Sequence, residues 1–254
     1  MRDLAPGSGL TGVTGPEGFY PEAEYAPVMP EKSAGLTRTI LVRFTAGLLV
    51  VALCLFVPAG SLAFWQGWLY LVVLFVPLAF VGRYFLKRDP VFLERRFRMR
   101  EKEIVQKRIQ AVTGIIFFVG FLIPGLDYRF GWSQVPVAVV LAADIAVFLG
   151  YLLIFLVFRE NSYAARTVEV EAGQRVVATG PYAMVRHPMY LGVTVMFLAT
   201  PLALGSWWAL PVFLLLPPFL VLRIRNEEEV LVRELPGYEE YSRKVRYRLI
   251  PRVW

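Results

Sequence analysis

Charged residues are missing from long stretches of this chain, and these stretches alternate with short charged connections. No Asp, Glu, Lys or Arg occurs in residues 44–82, 109–126 or 188–222, which are 39, 18 and 35 residues long. An apolar run of about 18 residues or more is typical of a membrane-spanning helix. Two of these runs are long enough to form two helices each, and a further apolar segment, residues 135–158, is interrupted only by Asp144. Together they predict an all-α polytopic membrane protein. The six predicted transmembrane helices cover residues 44–64, 68–82, 109–126, 135–158, 189–204 and 207–222.

The last two predicted helices are short, and prolines interrupt both of them. Each has 16 residues, and together they contain Pro201, Pro211, Pro217 and Pro218. Short, broken helices at membrane depth are tolerated mainly where they line a protected cavity. The pattern therefore predicts a short C-terminal helical hairpin beside a cavity. An amphipathic cytoplasmic helix over residues 223–234 and a second helical piece over residues 238–245 are expected to follow.

The chain divides into three parts. Residues 1–36 are rich in Gly and Pro and are predicted to form a flexible cytoplasmic tail. Residues 37–165 hold the first four transmembrane helices and a basic cytoplasmic loop at residues 83–108. Residues 166–254 hold the polar motifs. Polar and apolar residues alternate in residues 167–170, and residues 175–178 could form a returning strand after a turn, so a small β-hairpin is predicted before the fifth helix.

The distribution of charge predicts the orientation in the membrane. Residues 83–108 carry ten basic residues against four acidic ones, and residues 223–254 carry eight more basic residues. The connections at the opposite ends of the helices, residues 65–68, 127–134 and 205–207, carry one basic residue, Arg129. The positive-inside rule then places both termini and both basic regions in the cytoplasm. Basic segments next to spans set topology and attract anionic headgroups, so we expect a bilayer rather than nucleic acid as the partner.

The composition also excludes several classes of chemistry. Hydrophobic residues make up 57% of the chain and charged residues only 19%, which argues against a soluble globular enzyme. With one cysteine, Cys54, and one histidine, His187, the chain lacks a disulfide framework and has too few ligands for a zinc site. A charge in the middle of a span usually faces the bundle interior, so we expect Asp144 to lie there, in either a functional or a hydrogen-bonded structural role.

Two polar clusters are predicted to meet at one membrane depth. The first, residues 179–192, places Arg186 and His187 just before Pro188, at a helix start that suits a carboxylate. The second, residues 223–229, places Arg223 and Glu227 on one helix face. The alternatives are an interfacial cap for the first cluster and a surface salt bridge for the second. Because little acid–base chemistry is available, the clusters favour a reaction such as methyl transfer from a sulfonium, which requires mainly alignment and exclusion of water.

The two clusters resemble the signature of the isoprenylcysteine carboxyl methyltransferase family. The matching residues cover about the last third of the chain, residues 166–254, which the resemblance makes the catalytic region. They are Gly180, Tyr182, Arg186, His187, Pro188, Tyr190, Gly192, Glu227, Glu228, Leu231, Tyr238, Tyr241, Val245, Ile250 and Pro251.

The resemblance implies an integral-membrane methyltransferase that uses S-adenosylmethionine at the cytoplasmic face and releases S-adenosylhomocysteine. It implies Arg223 and Glu227 as catalytic residues, with Arg223 orienting a substrate carboxylate. The acceptor would be lipophilic, most simply a prenylcysteine carboxylate that reaches the site sideways from the bilayer. The implied cofactor contacts are Arg175, Tyr182, Ala183, Met184, Val185, His187, Tyr190, Val195, Met196, Phe197, Leu198, Glu227 and Glu228.

Other functions stay open at this point. Related signatures occur in methyltransferases of small thiols and of phospholipid amines. Sterol reductases that use NADPH carry a similar stretch, but Met189 and Val193 stand here where those enzymes have Asn and Glu. A transporter is less consistent with the sequence, because the chain has no visible duplication and its polar clusters lie at one face.

Overall fold

The fold is described from a computed structural model, which describes residues 30–98, 104–164, 170 and 173–254. In this part of the chain the regular structure is helical, with one 3-10 turn at Gly180–Ala183 and no strand. The α-helices are α1 (Pro30–Ala59), α2 (Trp65–Arg88), α3 (Pro90–Arg98), α4 (Ile104–Phe130), α5 (Val137–Glu160), α6 (Pro188–Ala203), α7 (Leu210–Phe213), α8 (Leu216–Glu234) and α9 (Tyr238–Lys244).

Four of these helices are long and apolar enough to cross a membrane. They are Gly35–Ala59 of α1, α2, Gln106–Phe130 of α4, and α5. Large apolar side chains such as Leu53, Val76, Ile115 and Ile145 are exposed on their outer faces, as expected for helices that contact lipid. These are the features of a multi-pass integral membrane protein, and the four helices confirm the first four predicted spans. At 16 residues, α6 is shorter than these four, so the predicted number of six crossings is not confirmed.

The sixth predicted span, residues 207–222, is not one helix. The structure divides it into α7, of four residues, and the first part of α8. Pro211 lies in the first turn of α7, and Pro217 and Pro218 lie in the first turn of α8. Proline is tolerated there because those N–H groups have no intrahelical partner. α8 then continues without a break to Glu234, so the predicted amphipathic helix is its second half, and α9 corresponds to the second predicted piece.

Three other boundaries differ from the predictions. α1 begins at Pro30, inside the predicted tail, whose residues 1–29 lie outside the described part of the chain. The predicted basic loop contains the end of α2, the whole of α3 and the start of α4, because charged residues continue a helix as readily as apolar ones. In the predicted β-hairpin, residues 167–169 and 171–172 are not described, and residues 175–178 are not a strand.

Two glycines allow α5 and α6 to pack in close contact. A Cβ atom on Gly150 would lie 2.7 Å from the Gly192 carbonyl oxygen, and one on Gly192 would lie 2.7 Å from the Gly150 carbonyl oxygen. Around this crossing, Val147 of α5 and Met196 of α6 belong to the main apolar core. The close packing lies about one turn after the start of α6, where the predicted functional residues begin, and holds this part of α6 against the second half of α5.

Two buried carboxylates lie away from that turn. Asp127, near the end of α4, accepts hydrogen bonds from the Ser133 backbone N–H at 2.7 Å and from the hydroxyls of Ser133 and Ser206. It thereby fastens the turn that follows α6. Asp144 is buried in α5, as expected, and neither of its carboxylate oxygens has a hydrogen-bond partner among the described residues. Of the two roles left open for it, the hydrogen-bonded structural role is therefore not observed there.

Candidate functional site

Glu228 holds three parts of the chain together at the start of α6. Its Oε1 accepts from Arg186 Nε at 2.7 Å and lies 3.2 Å from His187 Nε2, and its Oε2 accepts from Arg248 Nε at 2.6 Å. Burial by itself would raise the pKa of Glu228, but the hydrogen bonds from His187, Arg248 and Arg186 outweigh it and lower the pKa to about 2. The carboxylate is therefore ionised and occupied by its own chain.

The backbone continues this attachment. The N–H groups of Arg186 and His187 donate to the carbonyls of Tyr247 and Arg248, both at 2.9 Å. The Arg186 Nη1 also donates to carbonyls of the segment after α9, including that of Val245 at 3.1 Å. The C-terminal segment is thus docked on the start of α6 by charge and by backbone pairing together.

A second set of contacts links Glu227 to Arg223 through Tyr190. The Tyr190 hydroxyl donates to Glu227 Oε2 at 2.6 Å and accepts from Arg223 Nε at 2.8 Å. The Arg223 Nη1 donates to Gln106 Oε1 at 3.0 Å, and Gln106 Nε2 donates to Asn226 Oδ1 at 2.7 Å. The structure therefore brings the two predicted clusters into contact and adds α4 to them.

A cavity with both polar and apolar walls lies between the start of α6, α8, α9 and the segment after α5. This tail cavity has a volume of about 780 Å³ when the open solvent at its mouth is included. Tyr182, Tyr238 and Tyr241 supply aromatic walls, and burial raises the pKa of Tyr182 to about 12, so its hydroxyl stays neutral. Five of the predicted cofactor contacts line this cavity: Arg175, Tyr182, His187, Tyr190 and Glu227.

The other predicted cofactor contacts do not line the tail cavity. Ala183, Met184 and Val185 follow Tyr182, but Met184 is 67% exposed and Val185 is 2% exposed in the protein interior. Val195 lies eight residues after His187, which is about 12 Å along a helix, so the stretch Val195, Met196, Phe197 and Leu198 lies deeper in the bundle. Within it, the Phe197 ring packs 4.4 Å from that of Phe117 on α4. Glu228 is instead held by Arg186, His187 and Arg248.

A second, mainly apolar cavity lies between α4, α6 and α8. This apolar groove has a volume of about 560 Å³, and its polar residues are Gln110, Thr113, Tyr190 and Arg223. Tyr190 lines both cavities and forms the wall between them. The remaining groove residues are Ile109, Phe117, Val193, Phe197, Leu216, Phe219 and Leu220.

Sequence reasoning missed the contribution of α4. Gln106 and Gln110 come just before and within an apolar run, where polar residues are common at the edge of a membrane and carry no motif. Gln106 is more than 110 residues away from its partners Arg223 and Asn226, so only the packed structure places them together. Among the described residues, no group of three or more His, Cys, Asp or Glu side chains could hold a metal ion.

Comparison with known proteins matches part of the chain. Residues 138–237, from the start of α5 to the turn before α9, match the family model for phospholipid methyltransferases. A Delta(14)-sterol reductase of Mus musculus is 37% identical over 91 residues, which are 35% of this chain and 22% of the mouse protein. The chain thus matches about a fifth of the length of that relative.

Proposed function

We propose that this chain is an integral-membrane methyltransferase that moves a methyl group from S-adenosylmethionine to a lipophilic acceptor at the cytoplasmic face. The observation that supports this function best is the position of Tyr190. Tyr190 lines both the tail cavity, which has charged and aromatic walls, and the mainly apolar groove, which suits a lipid chain. The match of residues 138–237 to phospholipid methyltransferases supports the same reaction class.

The tail cavity is the proposed site of S-adenosylmethionine. The Glu227 carboxylate lies next to Tyr190 and is positioned to accept from the ammonium group of the cofactor, which S-adenosylhomocysteine retains, while the tyrosines give the cofactor flat apolar surfaces. His187 and Arg175, on the same walls, are proposed contacts. Residues 183–185, residues 195–198 and Glu228 stay predicted cofactor contacts, and a complex with the cofactor would test them.

The apolar groove is the proposed site of the acceptor, with Arg223 at its polar part. Arg is suited to a carboxylate because its planar guanidinium can donate two parallel hydrogen bonds. When bound, S-adenosylmethionine would supply a methyl group on a positively charged sulfur; an acceptor oxygen would receive the methyl group, and the sulfur would leave as a neutral thioether. The task of the chain is to align the acceptor with that methyl group and to exclude water, for which Tyr190, Arg223 and Glu227 are placed between the cavities.

We infer a prenylcysteine carboxylate as the acceptor, because the groove combines an apolar lining with a cation. A phospholipid amine is the second candidate, and the family match of residues 138–237 favours it; a small thiol is a third. The partial identity with a sterol reductase keeps an NADPH-dependent reduction as an alternative of another class.

Binding and transfer assays on the purified chain in lipid nanodiscs test this proposal. We expect S-adenosylhomocysteine to bind, and Glu227→Gln to weaken that binding about tenfold, because a hydrogen bond or contact to a charged group contributes about 1.5–3 kcal/mol. Glu229→Gln is the matched control, since Glu229 is exposed and lines neither cavity. Methyl transfer to N-acetyl-S-farnesylcysteine, phosphatidylethanolamine or a small thiol identifies the acceptor. Binding of NADPH without S-adenosylhomocysteine would contradict the proposal.

A further inference from the structure

α4 presents a stripe of polar side chains to the candidate site. Gln106, Gln110 and Thr113 are spaced four and three residues apart, which places them on one face of the helix. Gln110 and Thr113 line the apolar groove, and the Thr113 hydroxyl donates a hydrogen bond to the Ile109 carbonyl at 2.8 Å. Gln106 lies one turn before them and is completely buried. A buried amide is stable only when its polar atoms have partners.

Both ends of the Gln106 amide have partners on α8, and the two partners have opposite character. Its oxygen accepts from Arg223 Nη1 at 3.0 Å, and its nitrogen donates to Asn226 Oδ1 at 2.7 Å. Because the Arg223 guanidinium can only donate, the Gln106 amide oxygen must face it, and the amide nitrogen then donates to the Asn226 oxygen. Tyr190 holds the same guanidinium through Nε at 2.8 Å. The guanidinium of Arg223 is therefore held in its plane from two helices, α4 and α6.

We propose that Gln106 is a positioning residue that orients Arg223 toward an anionic group on the acceptor. This inference rests on the proposed function, because it takes the groove as the acceptor site. Gln106 acts through Arg223 and does not itself touch the reacting atoms. Gln106→Leu would remove both hydrogen bonds. Gln106→Glu would keep an acceptor for Arg223 but would neutralise the charge of the guanidinium and lose the donor to Asn226.

Gln106 lies on the acceptor side of the proposed site and not on the cofactor side. The family match covers residues 138–237, which include most of the tail-cavity lining. The α4 wall of the groove, residues 109–117, and Gln106 lie outside that match. The acceptor-side geometry of this chain is thus set in part by a helix that the family match does not reach.

The test compares a charged and a neutral ligand on the full-length chain in nanodiscs with S-adenosylhomocysteine present. The probes are N-acetyl-S-farnesylcysteine and its neutral carboxamide, and the measured quantity is the ratio of their dissociation constants. We expect the wild-type chain to prefer the carboxylate about tenfold or more, from the lower end of the range for a hydrogen bond to a charged group. Gln106→Leu should reduce this preference to about twofold and leave the affinity for S-adenosylhomocysteine unchanged. Arg223→Ala should reduce the preference to the same extent.

Two further variants separate positioning from general stability. Tyr70→Phe removes another buried inter-helix hydrogen bond, to Thr200 at 3.0 Å, away from both cavities, and it should keep the wild-type preference. Gln106→Glu preserves the shape of the side chain and should lose the preference, which keeps the test available if Gln106→Leu does not fold.

Each contrary outcome has a distinct meaning. If Arg223→Ala loses the preference but both Gln106 variants keep it, the role of Gln106 is wrong while the proposed function stands. If the Gln106 variants weaken the binding of S-adenosylhomocysteine as much as they weaken the binding of the carboxylate probe, Gln106 is a general structural residue and the inference is wrong. If the wild-type chain shows no preference, Arg223 does not bind an anionic acceptor, and the acceptor part of the proposed function fails together with the inference.

Discussion

Replacement of Glu228 by Gln should release the C-terminal segment from the start of α6. The ionised carboxylate is held by Arg186, His187 and Arg248, and its pKa falls from 4.5 to about 2. At about 1.36 kcal/mol per pH unit, this difference corresponds to roughly 3 kcal/mol of stabilisation by the charged form. Glu228→Gln keeps the size of the side chain and removes that charge, so the docked segment should open roughly 100-fold more often.

Amide hydrogen exchange over residues 235–254 measures this opening. Glu239→Gln is the control, because its ion pair with Arg243 spans one helical turn and both side chains are exposed, so its loss should cost less than about 0.5 kcal/mol. Because the folded-state pKa of Glu228 is lowered, its stabilisation is complete above about pH 4.5 and is lost as the pH falls toward about 2. Equal exchange in the two variants, or an unchanged acid-dependent loss of protection in Glu228→Gln, would refute the reasoning.

Two further predictions concern the packing and the contact between the cavities. Gly150→Ala places a Cβ atom 2.7 Å from the Gly192 carbonyl oxygen and should destabilise the chain by about 1–3 kcal/mol in a thermal or denaturant unfolding assay. Gly114→Ala is the control, because the space at its Cβ position is open. Equal stability of the two variants would contradict the described helix crossing. Tyr190→Phe removes the hydroxyl that joins Arg223 to Glu227 and should weaken both S-adenosylhomocysteine and carboxylate-probe binding several-fold in titration calorimetry, while normal affinity for both would exclude this hydroxyl from the site.

The sequence predicted the first four spans because each is a long run of apolar residues with charges only at its ends, apart from Asp144. Such a pattern depends on composition and length, and lipid forces every backbone polar group of such a run into helical hydrogen bonds. Over residues 207–222 the prolines indicated an interrupted helix, but the continuous apolar run did not show that the segment divides into α7 and the first part of α8. The presence of Pro does not by itself show where a helix breaks, because Pro lies in the first turns of α7 and α8 but also inside α1, α2, α4 and α6.

The order of residues along the chain was enough to predict that Arg186, His187, Arg223, Glu227 and Glu228 lie near one end of the bundle, since the motif positions and the helix direction follow from local order. Which partner each of these side chains contacts is decided only by the packing of the helices. Glu228 holds the C-terminal segment, Glu227 faces a cavity, and Gln106 of α4 joins Arg223. Neighbouring residues on a helix point about 100° apart, so Glu227 and Glu228 meet different partners, and the identity of those partners depends on the packing of distant helices.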